Sequence, residues 1–148
     1  MSRNYAQGFF EVRNPNKYLG KGRPKYRSGW EHAFMRFCDN NDSIVGWASE
    51  SIAIPYRNPL TGKMTNYIPD FLVQYRTRDS RVITELIEIK PKKQSILESK
   101  ASARDRAIVA VNYAKWASAQ KWCQRNGLTF RVINEDQIFH QGSKRTGK

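Results

Sequence analysis

Two neighbouring segments, residues 66–75 and 81–90, constrain the fold of this chain most strongly. Both are rich in β-branched and aromatic residues, and Pro91 ends the second one. Only five polar residues, 76–80, separate them, so the two predicted strands should pair as an antiparallel hairpin. We therefore expect a β-hairpin in the core of the fold.

Helices are expected on both sides of this hairpin in the chain. Ser28 and Glu31 have the spacing of a capping box and begin a helix that runs to about Asp39. An apolar period of 3.6 residues predicts a long helix over about 103–125. The remaining expected elements are a short helix near 95–100 and strands over 44–48, 50–56 and 129–133. This order predicts an α/β fold with a mixed central β-sheet flanked by helices.

The length of 148 residues is typical of one domain. Residues 1–28 are rich in Asn, Gly, Pro and basic residues without a regular period, so we interpret them as a basic N-terminal arm. The domain is then expected over residues 29–140, followed by a basic flexible tail over 141–148. Two cysteines, Cys38 and Cys123, are too few for a disulfide framework and are expected to be buried. No segment approaches the roughly 18 apolar residues of a membrane span, and no signal peptide is evident.

The charge of the chain is unevenly distributed. The formal net charge of +13 predicts a polyanionic partner, most often nucleic acid, and no long amphipathic basic helix favours an anionic membrane instead. Residues 31–89 nevertheless carry eight acidic and six basic side chains, whereas residues 1–30 carry one acidic and seven basic. We therefore expect salt-sensitive, sequence-independent binding of double-stranded DNA around an acidic centre. The basic residues expected to contact the DNA backbone are Lys17, Lys21, Arg23, Lys25, Arg27, Lys92 and Lys93.

The two predicted strands of the hairpin carry residues typical of a hydrolytic metal site. Asp70 follows Pro69 in the first strand, and Glu88 and Lys90 lie two residues apart on one face of the second. Carboxylates from neighbouring strands suit Mg²⁺, which lowers the pKa of a bound water and neutralises phosphate charge. A lysine beside the acid can orient that water and stabilise the transition state. The arrangement Pro-Asp … Glu-x-Lys is typical of a broad nuclease superfamily.

The same pattern also has a purely structural explanation. It occurs by chance in roughly one in twenty chains of this length, and Glu88 and Lys90 would then be neighbours on a solvated strand face. Both halves of the motif, however, lie in apolar strands, where charge is costly unless it is paired or used. The strands are also consecutive, and an upstream helix supplies Glu31. Glu31 itself fits two roles, a capping-box acid and a further metal-site carboxylate.

Other charged residues have less specific explanations. Glu50 begins a predicted strand and can face either the site or solvent. Glu85 points to the face opposite the motif and is expected to be a structural ion-pair partner. Lys115 is expected in the core or on the surface of the long helix, and Lys92 and Lys93 fit phosphate contacts or plain surface positions. No Gly-rich phosphate loop, zinc motif or Ser-His-Asp arrangement is present, so we expect no nucleotide cofactor.

A more specific resemblance extends over most of the chain. The chain resembles the N-terminal nuclease domain of the TnsA transposon endonucleases in the segments SGWEHAFMRFCD, WASESIAIPY, YIPDFLVQY and ELIEIKPKKQ. That family is similar in fold to restriction-type PD-(D/E)xK enzymes, which implies a restriction-endonuclease-like core. The opening QGFFEVRNPNKYLGKGRPKYRSGWE and the closing NGLTFRVINEDQIF resemble the head completion proteins of T-even-type bacteriophages. Together these resemblances cover essentially residues 5–140.

The resemblance implies a set of site residues. The metal aspartate of the family corresponds to Asp70, its strand acid to Glu88 and its lysine to Lys90. TnsA has a glutamine in place of the strand acid, and its helical glutamate corresponds to Glu31. The resemblance implies Mg²⁺-dependent phosphodiester hydrolysis, with Mn²⁺ as an alternative ion. We expect Asp70, Glu88 and the backbone carbonyl of Ile89 to hold the metal. Lys90 would serve the attacking water, and Glu31 would hold a second metal or a water.

The head completion family further implies a role late in phage assembly. Such a nuclease would trim or prepare the end of the packaged genome before the neck and tail attach. Its partners would be phage portal or neck proteins. It would be located in the host cytoplasm during assembly, with the virion as a second expected location. Two alternatives stay open: a Holliday-junction resolvase or repair nuclease on the same fold, and a non-enzymatic basic DNA-binding plug of the head. Exonuclease and endonuclease action are equally compatible with the sequence.

Overall fold

The computed structural model of the protein describes residues 7–92 and 102–137. The short helix expected near 95–100, Lys93 and the tail expected over 141–148 lie outside the described residues. The described strands are β1 (Gly8–Phe9), β2 (Lys25–Tyr26), β3 (Ile44–Ser49), β4 (Ile54–Arg57), β5 (Met64–Tyr67), β6 (Phe71–Arg76), β7 (Val82–Ile89) and β8 (Thr129–Ile133). The helices are a 3₁₀ turn (Pro15–Lys17), α1 (Gly29–Asn40) and α2 (Ala103–Asn126).

The central sheet has four strands in the order β3-β6-β7-β8. The strands β3, β6 and β7 run antiparallel, as the predicted hairpin requires, and β8 runs parallel to β7. The parallel pair needs a long crossover, and α2 lies within that crossover. Glu85 of β7 forms the expected ion pair with Arg131 of β8, at 3.3 Å. The predicted α/β fold with a mixed sheet and flanking helices is therefore confirmed.

Helix α1 confirms the predicted capping box and packs on one face of the sheet. The Ser28 side chain accepts a hydrogen bond from the N–H of Glu31 at 3.1 Å, and Glu31 Oε1 accepts one from the N–H of Arg27 at 2.8 Å. The helix buries Phe34 and Met35 against the sheet. These contacts fix the position of the first turn of α1, and with it the Glu31 carboxylate.

Helix α2 covers the other face of the sheet and has a clear cap at each end. The Ser102 side chain accepts from the N–H of Asp105 at 3.1 Å, and Gly127 ends the helix with a φ of 77°. Ala119 and Cys123 are buried in the second apolar cluster of the protein. The helix predicted over about 103–125 is thus confirmed, and the Cys123 thiol is buried as expected. None of the helices among the described residues has the length and apolarity needed to cross a membrane.

The strand predicted over residues 66–75 was wrong in one respect, because it is interrupted at residues 68–70. Pro69 has no N–H for a sheet hydrogen bond, so the ladder stops there and resumes at Phe71. The residues before the break form β5, which pairs with β4 in a separate two-stranded hairpin. The strand predicted over 50–56 was also too long, since β4 begins only at Ile54.

The described part of the expected basic arm, residues 7–28, lies against the domain. It contains the short β1–β2 ladder and the 3₁₀ turn and is otherwise irregular. Phe10 is buried in the same apolar cluster as the core residues of α1, and the centres of the Tyr18 and Trp47 rings are 4.7 Å apart. The buried carboxylate of Asp39, near the end of α1, accepts a hydrogen bond from the N–H of Arg13 at 2.8 Å. This segment therefore contributes to the core and holds both ends of α1.

Candidate active site

The two halves of the predicted motif meet where β6 begins and β7 ends. Asp70 directly precedes β6, and Glu88 and Ile89 are the last two residues of β7. The N–H of Ile89 donates a hydrogen bond to Asp70 Oδ2 at 2.8 Å. This bond fixes the Asp70 carboxylate beside the end of β7, next to the Glu-x-Lys half of the motif.

The proline of the motif explains how Asp70 reaches this position. The ladder pairs Phe71 with Ile87, so Pro69 would lie opposite Ile89 if the ladder continued. Pro69 cannot pair as a donor, and the side chain of Asp70 takes the place of a backbone acceptor for the Ile89 N–H. Because the N–H and C=O of one strand residue face the same neighbouring strand, the Ile89 carbonyl also faces this side. No N–H of Pro69 competes for that carbonyl.

Glu88 is held from two sides. Its side chain is buried, with 5% of the residue exposed. The Tyr67 hydroxyl donates a hydrogen bond to Glu88 Oε1 at 2.8 Å. The Lys90 ammonium lies 3.3 Å from Glu88 Oε2, as the period of two along the strand predicts. Lys90 is thereby kept at the same face as the acid.

Burial and neighbouring negative charge raise the pKa values of two acids of the site, Asp70 and Glu31. Burial raises the pKa of Asp70 to about 8, and the nearby charges of Glu88 and Glu31 act in the same direction. Burial also raises the pKa of Glu31, helped by Glu50 and Glu88 and opposed by Arg27. Within the described residues, no three His, Cys, Asp or Glu side chains come close enough to form a ready metal-binding group. The site is therefore an acidic cluster in which negative charge is only partly compensated.

Arg27 and Glu50 form the rim of this cluster. The Arg27 guanidinium forms an ion pair with Glu50, which raises the pKa of Arg27 further, and the charges of Glu31 and Asp70 act in the same direction. Glu50 has a φ of 49°, a conformation uncommon for a residue with a side chain, and its N–H donates to the Asp70 carbonyl at 3.0 Å. The sequence left the orientation of Glu50 open, and the structure places it beside the site.

Two further residues lie at the site: Tyr67, which the sequence analysis missed, and Lys115, which it expected in the core or on the surface of the long helix. The Lys115 ammonium lies 5.6 Å from the centre of the Tyr67 ring and 5.9 Å from that of Tyr56. Burial lowers the pKa of Lys115, and the charge of Lys90 lowers it further, whereas Glu88 and Asp70 oppose the shift. Lys115 comes from α2, so no local spacing in the sequence links it to the motif.

Besides Arg27, which pairs with Glu50, two of the predicted DNA contacts have polar partners within the protein. The Lys17 ammonium donates to the carbonyls of Asp39 and Asn41, at 2.9 and 2.8 Å, and so satisfies the end of α1. The Lys92 ammonium lies 2.5 Å from Asp136 Oδ2. For both residues, the structure gives a structural role that does not require DNA.

Among the described residues, the other predicted DNA contacts are exposed. Lys21 and Lys25 lie on the surface of the N-terminal segment, and the Arg23 guanidinium stacks over the Phe9 ring at 4.8 Å. Lys93 lies outside the described residues. Arg27 interacts electrostatically with the acidic cluster, since Glu50, Glu31 and Asp70 all raise its pKa.

The chain matches a known family of endonuclease domains. The family of TnsA-like endonuclease N-terminal domains matches residues 41–135, a range that contains Asp70, Glu88 and Lys90. The chain belongs to this family, whose fold is restriction-endonuclease-like. It is also similar to one particular phage protein, the head completion nuclease of Enterobacteria phage T4. The two are 34% identical over 150 residues, which cover 93% of this chain and 96% of that protein. Both resemblances inferred from the sequence are therefore confirmed.

Proposed function

We propose that this protein is a phage head completion nuclease that hydrolyses DNA phosphodiester bonds with the help of Mg²⁺. The observation that carries the proposal is the Asp70 carboxylate, fixed by the Ile89 N–H beside the Glu88–Lys90 pair. The same residues lie inside the range matched by the endonuclease family. The name of the T4 relative supports the step from a nuclease to a role in head completion.

The donor set fits a hard divalent cation, Mg²⁺ or Mn²⁺. Asp70, Glu88 and the Ile89 carbonyl would hold it, since oxygen ligands are what such ions prefer. Burial raises the pKa of Asp70, and the charges of Glu88 and Glu31 raise it further; a bound cation would favour the charged carboxylate against both effects. When bound, the cation supplies neutralisation of phosphate charge and a more acidic water.

Several side chains of the protein would position the reacting groups and the DNA. Tyr67 holds the Glu88 carboxylate, and Glu88 in turn holds the Lys90 ammonium. Lys90 can donate hydrogen bonds to the attacking water and to the charge that develops on the phosphate. Glu31, near the same acids, would accept a proton or hold a second cation. Arg27 would contact the DNA backbone at the rim of the site, with Lys21, Arg23 and Lys25 further out.

The biological step we propose is the preparation of the packaged genome end before the neck and tail attach. Such a protein would work in the host cytoplasm during assembly and contact portal or neck proteins. Its similarity to a protein named head completion nuclease along nearly the whole of both chains supports this role. A resolvase would instead prefer branched DNA, and a structural plug would bind DNA without cutting it.

Cleavage of linear, circular and branched DNA by wild type, Asp70→Ala and Lys90→Ala tests the proposal. With Mg²⁺, we expect the wild type to cut and both variants to lose at least about a hundredfold in rate, the range for loss of a charge-stabilising group. Asp79→Ala, in the exposed turn between β6 and β7, is the matched control and should cut like wild type. A wild type that cuts nothing, or variants that cut equally well, would refute the catalytic reading. Strong preference for branched DNA would favour the resolvase.

A further inference from the structure

Lys115 occupies a wall of the candidate site that the motif does not include. It lies on α2, where this helix packs against the β4–β5 hairpin. Its ammonium faces the rings of Tyr56, from β4, and Tyr67, from β5, at 5.9 and 5.6 Å. Aromatic faces attract a cation and hold the alkyl stem of lysine in place. Lys115 is thus oriented by packing before any ligand arrives.

In the described part of the chain, the aromatic rings, and not a carboxylate, face the charge of Lys115. Among residues 7–92 and 102–137, no carboxylate lies within the 4.0 Å of an ion pair with its ammonium. Lys90, by contrast, is 3.3 Å from Glu88 Oε2. A partly buried lysine whose charge is balanced by aromatic faces and not by a carboxylate keeps its N–H donors available to a ligand.

Tyr67 connects this lysine to the site. Its hydroxyl donates to Glu88 Oε1 at 2.8 Å, while its ring lies beneath the Lys115 ammonium. The fields of Glu88 and Asp70 both act on Lys115, so the lysine lies within electrostatic reach of the proposed metal site. Two lysines, Lys90 from β7 and Lys115 from α2, therefore flank the same acids from different elements.

We propose that Lys115 binds a phosphate of the DNA strand being cut and positions that strand against the acids of the site. The inference rests on the proposed nuclease function, because it is the cleaved strand that runs past Glu88. Lysine suits this task as a compact charge with three donors, and the aromatic cradle limits the conformational entropy lost on binding. Lys115 is thus a substrate-binding residue that the motif does not contain.

The test compares Lys115→Met, Lys115→Arg and the control Lys121→Met, which changes an exposed lysine of the same helix. Methionine keeps the stem over the two rings, and thermal unfolding in EDTA checks that each variant is folded. Binding of a duplex DNA oligonucleotide is measured in EDTA at several salt concentrations, and cleavage is measured with Mg²⁺. We expect Lys115→Met to reduce the slope of log affinity against log salt by about 1 and kcat/KM by about tenfold. Lys115→Arg should recover most of both losses.

The outcomes separate this inference from the proposed function. If wild type cuts DNA and Lys115→Met keeps the wild-type salt slope and kcat/KM, the inference about Lys115 is wrong and the nuclease stands. If Lys121→Met lowers the slope as much as Lys115→Met, the effect is general charge and the inference is also wrong. If wild type cuts nothing, the proposed function fails, and a lower slope for Lys115→Met still identifies a phosphate contact.

Discussion

Asp70→Asn should make the metal-free protein more stable while abolishing its response to Mg²⁺. The substitution removes a charge from a cluster that also contains Glu88 and Glu31, and the asparagine oxygen can still accept the hydrogen bond from Ile89. A proposed catalytic site that stores unfavourable charge should gain stability when that charge is removed. A purely structural aspartate should lose stability instead.

The size of the effect follows from the pKa of Asp70, which rises from an ordinary 3.8 to about 8 in the folded protein. The folded state holds the Asp70 proton more tightly than the unfolded chain does. The contribution of Asp70 to the free energy of unfolding is therefore fully present below pH 3.8 and is lost as the pH rises towards 8. At about 1.4 kcal/mol for each pH unit above 3.8, the charge of Asp70 lowers the free energy of unfolding at pH 7 by at most about 4 kcal/mol. Asp70 keeps some contact with solvent, so we expect Asp70→Asn to gain about 1–2 kcal/mol, or roughly 3–8 °C in Tm.

Thermal unfolding in EDTA at pH 4.5, 7 and 8.5 measures this gain, with Asp79→Asn as the control. The pKa of Asp79 is lowered by the hydroxyl of Thr77, so the control should show no gain at any pH. The gain of Asp70→Asn should shrink at pH 4.5. Added Mg²⁺ at about 100 times its Kd should stabilise the wild type by roughly 2.7 kcal/mol and Asp70→Asn hardly at all. A loss of stability in Asp70→Asn at pH 8.5, or an equal gain at pH 4.5, would refute the reasoning.

Three further predictions concern the supports of the site. Tyr67→Phe leaves Glu88 Oε1 without its donor and should slow cleavage about tenfold at unchanged DNA affinity, as single-turnover assays and anisotropy can measure. Lys17→Met removes two hydrogen bonds to carbonyls at the end of α1, so it should cost about 1–2 kcal/mol in urea unfolding and leave the salt dependence of DNA binding unchanged. EDTA should stop cleavage completely, and excess Mg²⁺ or Mn²⁺ should restore it.

The elements with strong local patterns could be predicted from the sequence. Helix α1 has its capping box at Ser28, and α2 has both a long apolar period and Gly127 as its stop. The β6–β7 hairpin follows from two apolar runs and a short polar turn. The break at residues 68–70 was missed because residues 66–75 keep a continuous strand composition, although Pro69 was the signal that marked it.

The site could be predicted only where its residues are close in sequence. Asp70 and the Glu88–Lys90 pair share a hairpin, so spacing and strand period were enough to bring them together. Lys115 reaches the site through the tertiary packing of α2, which leaves no periodic signal. Tyr67 is close to Asp70 in sequence but was missed, because a tyrosine in a strand is ordinarily a packing residue. Lys17 was predicted to bind DNA on charge alone, and charge does not distinguish a phosphate contact from a bond to backbone carbonyls.

The break at Pro69 also separates a loop that can change in sequence from the strand that carries the site. Among residues 7–92 and 102–137, the β4–β5 ladder pairs only within itself, and the register of the central sheet is set after the break, from Phe71 onward. Residues 58–63, the loop of the small hairpin, can therefore change in length or charge without shifting the strand that follows Asp70. Relatives of this protein can diversify the surface beside the site in this loop while the chemistry at Asp70 and Glu88 stays the same.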